Sequence, residues 1–211
     1  TGWHGCGAIR LAINQDQVDW FHYVKGVLDQ VGAECHLLEP DEIRKVHPLL
    51  ETEGFLMGAY TTGDGHTDPS GATQAMAVGA RNRGAEIYLN NRVTDTNLLP
   101  SGEWEVITEK GTIICEHLVN AAGSFCEQVG MMAGIKVPMV NMVHQYIMTE
   151  TIPEVASLGK ELPVVRDPRS SCYYRQEQSG LIIGPYEMNA KAWGLEAIDW
   201  GFDNALLPPD M

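Results

Sequence analysis

The chain has 211 residues, 44% hydrophobic and 20% charged, an ordinary globular composition with room for one large domain or two small ones. Its 14 basic and 28 acidic residues give a formal net charge of −14, which repels nucleic acid and anionic membrane surfaces, so neither is expected as a partner. The cysteines (Cys6, Cys35, Cys115, Cys126, Cys172) are odd in number, widely spaced and without a CxxC pair; they indicate neither a disulfide framework nor a metal site and fit a reducing compartment.

In chain order, "GAIRLAI" reads as a strand, and "NQDQVDWFHYVKGVLDQVG" as an amphipathic helix. Val18, Phe21, Val24, Leu28 and Val31 recur there at three and four residues, and Gly32 stops it. "EPDEIRKVHPLL" has Pro40 and two acids before Ile43 and Val46, a short helix halted by Pro48. "GFLMGAYTTGDG" is a short strand entering a Gly-rich loop. Asp68 before Pro69 is an N-cap ahead of N1, and the helix runs through Arg83 to Gly84. Its Ala and Gly at 71, 72, 75, 77, 79 and 80 suit close packing on a sheet.

Further on, "AEIYL" is strand-like, and residues 92–123 read as three or four short strands with turns at Ser101-Gly102 and Lys110-Gly111, the last strand being "HLVNAAG". "SFCEQVGMMAG" is a helix, "VPMVNMVHQYIMTE" a long strand and "PVVRDP" a short one. "CYYRQEQSGLIIGPYE" is a hairpin turning at Ser179-Gly180, and the tail from Ala190 is a loop. The stretch from Val129 to Met142 is interrupted by Lys136, Pro138 and Asn141 and is too short to span a bilayer. "TGWHGCGAIRLA" has no basic segment followed by an apolar run. A start without Met and the ending "LLPPDM" read as a segment of a longer chain.

Nucleotide and hydrolase motifs are missing. Gly5-x-Gly7 has Arg10 where a third Gly should fall and no strand before it, and GxxxxGK[ST], GxSxG and HExxH do not occur. The strand around His144 puts it on one face with Met142, Tyr146 and Met148. It is either a hydrogen-bonded core residue or a neutral, partly buried imidazole able to accept a proton. Tyr173 and Tyr174 must point to opposite faces, so only one can share a cavity with His144. Arg175, on the Tyr173 face, can grip a carboxylate or form a structural ion pair. His66, in a loop before a helix start, is either a turn residue or part of a site.

Taken together, "GDGHTDPSGATQAMAVGARNRGAEI", "LVNAAGSF", "HQYIMT" and "LPVVRDPRSSCYYRQEQSGLIIGPYE" resemble the dimethylglycine and sarcosine dehydrogenases, flavoproteins of the glycine-oxidase-like, D-amino-acid-oxidase type. The resemblance runs from about Gly7 to Glu187. It implies an α/β (α+β) fold, part of a Rossmann-like FAD-binding domain at 62–135 with a mixed-sheet substrate domain from 1–61 and 136–211. It also implies FAD as cofactor, bound by Val93, Ala121, Ala122, Gly123 and Phe125; small side chains suit a turn that a cofactor passes. His144 and Tyr173 match the family's active-site His and Tyr, with Arg175 and His66 as lesser candidates for substrate binding.

The implied reaction is oxidative demethylation of a small N-methylated amino acid, by hydride transfer to flavin and hydrolysis of the iminium. The electron acceptor stays unnamed, a folate-binding region would lie in the parent chain, and the compartment is a bacterial cytoplasm or the mitochondrial matrix. The family's GxGxxG, its flavin-linking His and its C-terminal Gly-rich stretch are not in these residues, so the segment alone is expected to bind FAD poorly and to be inactive. The alternative is a non-catalytic binding module that keeps the flavoprotein fold.

Overall fold

In the computed structural model, which describes residues 2–202 and 205–208, the elements run β1 (Trp3–His4), β2 (Ala8–Ala12), α1 (Gln15–Gln30), β3 (His36–Leu38), α2 (Pro40–Val46), β4 (Met57–Thr61), β5 (His66–Thr67) and α3 (Pro69–Arg81). They continue with β6 (Val93–Leu98), β7 (Trp104–Thr108), β8 (Gly111–Cys115), a 3-10 turn (Gly123–Phe125), α4 (Cys126–Met132) and β9 (Asn141–Met142). Then come β10 (Ile147–Met148), α5 (Pro153–Ala156), β11 (Val164–Asp167), β12 (Cys172–Glu177), β13 (Gly180–Pro185) and β14 (Ala192–Trp193). Contacts divide the chain into two units: residues up to Gly79 with His144–Met188, and Ala80–Val143 with the residues from Asn189 on. These contact units differ in their limits from the boundaries expected at 61/62 and 135/136, and the described residues from Asn189 on group with the central strands.

The first unit is built on a seven-stranded mixed sheet, ordered β10-β13-β12-β11-β2-β4-β3, in which only β2 and β11 pair in parallel. Its helices follow from local signals. Asn14 accepts the Gln17 amide at 2.9 Å, and α1 ends where Gly32 turns to φ +72°. On one sheet face Ile9, Leu11 and Val165 pack with Phe55 and with Ile43 of α2; on the other, Ala12 and Ala59 meet Val18 and Phe21 of α1. Each fully buried Ile contributes about 1.5–3 kcal/mol by leaving water. Gly58 is required here, because a Cβ on it would lie 2.9 Å from Ile43 Cδ1.

The second unit holds the antiparallel ribbon β6-β7-β8, the short helix α4 and the small pair β9-β14. Several expectations change. "AEIYL" and "HLVNAAG" form no strand, and the expected long strand after residue 136 is two dipeptide strands, β9 and β10, with His144 in the break between them. The tail from Ala190 contains β14, paired with β9. No residue of α3 is fully buried, and its Gly71, Ala72, Ala77, Gly79 and Ala80 are half-buried. The β12–β13 turn falls at Gln178-Ser179, since Glu177 pairs with Gly180, and Gln178 takes φ 52°.

Candidate functional site

In the first unit, β12 carries Tyr173 and Tyr174 to opposite faces as expected: Tyr174 packs on the core around Ile9 and Val165, and Tyr173 faces away from it. Tyr173 lies opposite Gly184 of β13, and a Cβ there would sit 2.1 Å from Tyr173 Cε1. The ring thus lies over a glycine that no larger residue can replace without moving it. The Tyr186 ring stands 5.9 Å from Tyr173 and 5.5 Å from His144, edge-on to the latter at 80°. Arg166, register partner of Tyr173 on β11, donates from Nη1 to Tyr186 Oη at 3.1 Å.

His144 is not the partly buried strand residue expected. Its side chain is 50% exposed, with Nδ1 3.3 Å from Glu187 Oε2, because the chain leaves extended pairing at residues 143–146. The Glu187 carboxyl is held below its ordinary value, first by its own backbone N–H and, against a small desolvation effect, also by His144. The Glu187 carboxylate lies within reach of the imidazole and fixes the position of its ring.

The lesser candidates fall elsewhere. The Arg175 guanidinium is committed to Glu177 at 2.6 Å, the structural ion pair that was its alternative. His66 bonds through Nε2 to Glu161 Oε1 at 2.7 Å. Both line a cavity of about 240 Å³ that excludes His144 and Tyr173. Partial burial pushes the Glu161 carboxyl up, but hydrogen bonds from His4 and His66 and the charge of those rings outweigh it, so its net shift is downward.

In the second unit, Val93, Ala121, Ala122 and Phe125 line one cavity of about 750 Å³, together with Arg92, Thr96 and Trp200. Asn120 shapes the turn: its Nδ2 donates to the Cys126 carbonyl at 2.8 Å and its Oδ1 accepts the Ala122 amide at 3.2 Å. Gly123 adopts φ +56°, and a Cβ built on it meets nothing within 4 Å. Trp200 stacks on Phe125 at 5.3 Å, and Arg92 lies 5.7 Å from the Trp200 ring centre. The buried Thr96 Oγ1 at this wall has no partner among the described residues.

Reading along the sequence missed Arg166, Gly184, Tyr186, Glu187 and Glu161 as site residues. The hairpin pattern carried a signal for Gly184, but a turn placed one residue late pairs Tyr173 with the wrong position. Glu161 had no local signal.

A family model described as FAD dependent oxidoreductase (DAO) matches residues 1–209. Mitochondrial dimethylglycine dehydrogenase of Rattus norvegicus is 40% identical over 216 residues, covering 100% of this chain and 25% of that protein. Mitochondrial sarcosine dehydrogenase of Homo sapiens is 33% identical, covering 95% of this chain and 23% of that one. The chain thus spans about a quarter of the length of these relatives. Among solved structures, L-proline dehydrogenase from P. horikoshii superposes with a TM-score of 0.75 at 27% identity, over 86% of this chain and 48% of that one.

Proposed function

The chain belongs to the FAD dependent oxidoreductase (DAO) family, and from that premise we propose that it forms the substrate face and part of the flavin cradle of an enzyme that demethylates an N-methylated amino acid such as dimethylglycine or sarcosine. FAD is the cofactor of the family. The residues present fit it: the turn 121–123 is small, its one positive-φ glycine faces open space, and an unpartnered buried hydroxyl stands at the same wall. In this reading Val93, Ala121, Ala122, Gly123 and Phe125 would hold the cofactor, and residues 80–143 would carry it.

The observation that supports the chemistry is the His144–Tyr186–Tyr173 aromatic group, with Glu187 beside His144 and Arg166 donating to the central Tyr186. Bound FAD supplies the hydride acceptor. A C–H bond beside nitrogen gives up hydride only when the nitrogen lone pair is free, so the ammonium of the incoming substrate must first lose a proton. His144 takes that proton at an imidazole nitrogen, and Glu187 stabilises the imidazolium. The Tyr173 hydroxyl orients the amine, its ring seated on Gly184. Arg166, one register step away, is better disposed than Arg175 to grip the substrate carboxylate, because Arg175 is already paired with Glu177. Water then adds to the iminium carbon, releasing an aldehyde and the demethylated amine.

The compartment in this proposal is the mitochondrial matrix or a bacterial cytoplasm. In this proposal the complete protein would carry a folate-binding domain that takes up the one-carbon unit, and the electrons would pass to an acceptor of unassigned identity. The test is His144→Asn in that protein, with formaldehyde release from dimethylglycine and sarcosine as the readout. Turnover is expected to fall by about 10²–10⁴-fold, the usual worth of a positioned acid–base group, while flavin absorbance stays unchanged. Turnover within threefold of wild type would sink the role given to His144.

A further inference from the structure

Strand register, more than local sequence, sets two imidazoles side by side in the first unit. β1 and β5 pair antiparallel with His4 directly opposite His66, so both side chains leave the ribbon on the same face. The rings stack with centroids 4.6 Å apart and planes 11° apart. Glu161, from the loop between α5 and β11, spans them: Oε2 lies 2.9 Å from His4 Nδ1 and Oε1 lies 2.7 Å from His66 Nε2. All three donor groups fall within 4.8 Å of one another.

The backbone is shaped for this approach. A Cβ on Gly65 would lie 1.9 Å from the His4 carbonyl oxygen, so β1 and the loop entering β5 close up only over a glycine. The Asp68 amide donates to the Gly2 carbonyl at 2.8 Å and secures the far end of the ribbon.

We propose that His4, His66 and Glu161 form a binding site for one divalent transition-metal ion, of which zinc fits best. Two imidazole nitrogens and one carboxylate oxygen are the donor set that such ions take, in preference to magnesium or calcium. Three protein ligands leave a fourth position, which a water fills from the adjoining cavity of about 240 Å³, where Asp68, Gln176 and Glu177 also lie. Bonds of about 2.0–2.1 Å in a tetrahedral site set donor atoms about 3.3 Å apart. The two His–Glu161 spacings of 2.7 and 2.9 Å open by a few tenths of an ångström, and the two imidazole nitrogens, within 4.8 Å of each other, settle to the same separation.

His4, 47% exposed, is free to move that far, whereas His66, at 13%, is the fixed ligand. Without the ion each imidazole presents an N–H to the carboxylate; with it the rings take the tautomer that presents a lone pair, and the chain's formal charge of −14 favours the cation. The ion would tie the β1–β5 ribbon to the loop that leads into β11.

The complete, FAD-loaded protein, stripped with a chelator and dialysed, is titrated with zinc chloride by calorimetry, and bound zinc is counted by mass spectrometry. One ion per chain is expected, with affinity at least about tenfold weaker in Glu161→Gln and in His4→Asn, and a zinc-dependent rise in melting temperature confined to the wild type. Exposed His4 can be replaced without disturbing the core, so His4→Asn decides the matter should Glu161→Gln fold poorly. Absence of zinc uptake by the wild type, or equal uptake by the variants, would overturn the site.

Discussion

The cavity of the second unit and the aromatic group of the first depend on distant pairing to different degrees. Residues 120–125 give the former a turn held locally, Asn120 bonding to its own neighbours Ala122 and Cys126, while Arg92, Val93, Thr96 and Trp200 complete the wall. His144, Arg166, Tyr173, Gly184 and Glu187 come from separate segments and meet only because β11, β12 and β13 pair in one register. A turn held by its own side-chain and backbone bonds keeps its shape with little help from distant register. A site made of converging side chains depends on register throughout.

Two substitutions test that contrast, and a third, outside both sites, sets its lower bound. The largest effect is expected from Gly184→Val, which drives a side chain into the Tyr173 ring; a displacement near 1 Å should lower kcat/KM about 100-fold. Flavin content should hold, and a normal kcat/KM would remove Tyr173 from the site. Next is Ala122→Leu, which fills the cavity of the second unit. FAD binding followed by flavin fluorescence should weaken about tenfold, the cost of roughly 1.4 kcal/mol of lost fit, with melting of the first unit unchanged. Unaltered FAD affinity would place the cofactor elsewhere.

The smallest effect concerns a buried group that serves neither site. His47 is 8% exposed, its Nδ1 has no partner among the described residues, and burial pushes its pKa below the ordinary value. A base with a lowered folded pKa binds fewer protons folded than unfolded, so its neutral burial is favourable above about 6.5 and stability declines as pH falls below that. His47→Phe, with a neighbouring cavity of about 200 Å³ to grow into, should gain about 1 kcal/mol at pH 7 by removing the unpaired nitrogen. Its advantage should widen by pH 5. Denaturant melts at the two pH values measure it, and a pH-independent difference would show that His47 is not buried as a neutral group.

The same contrast explains what could be read without coordinates. The helix from Asn14 to Gly32 was legible because its cap, its apolar spacing and its stop all lie within one stretch. The hairpin of β12 and β13 was legible in kind but not in register. A turn at Ser179-Gly180 would set Tyr173 opposite Tyr186, whereas the observed turn sets it opposite Gly184, since moving a turn by one residue moves every partner by two. The stretch 136–150 misled because its apolar alternation suits a strand, while β9 and β10 find different partners in different sheets and leave His144 between them.

Local chemistry in the chain therefore determined which residue types were present, where the main helices start and stop and, by resemblance, the flavoprotein family. Only tertiary structure decided that Arg175 is spent on Glu177, that Arg166 and Gly184 flank Tyr173, and that His4, His66 and Glu161 converge. The reason is physical: caps and turns act over a few residues, but strand pairing joins segments whose separation in sequence carries no record of their contact.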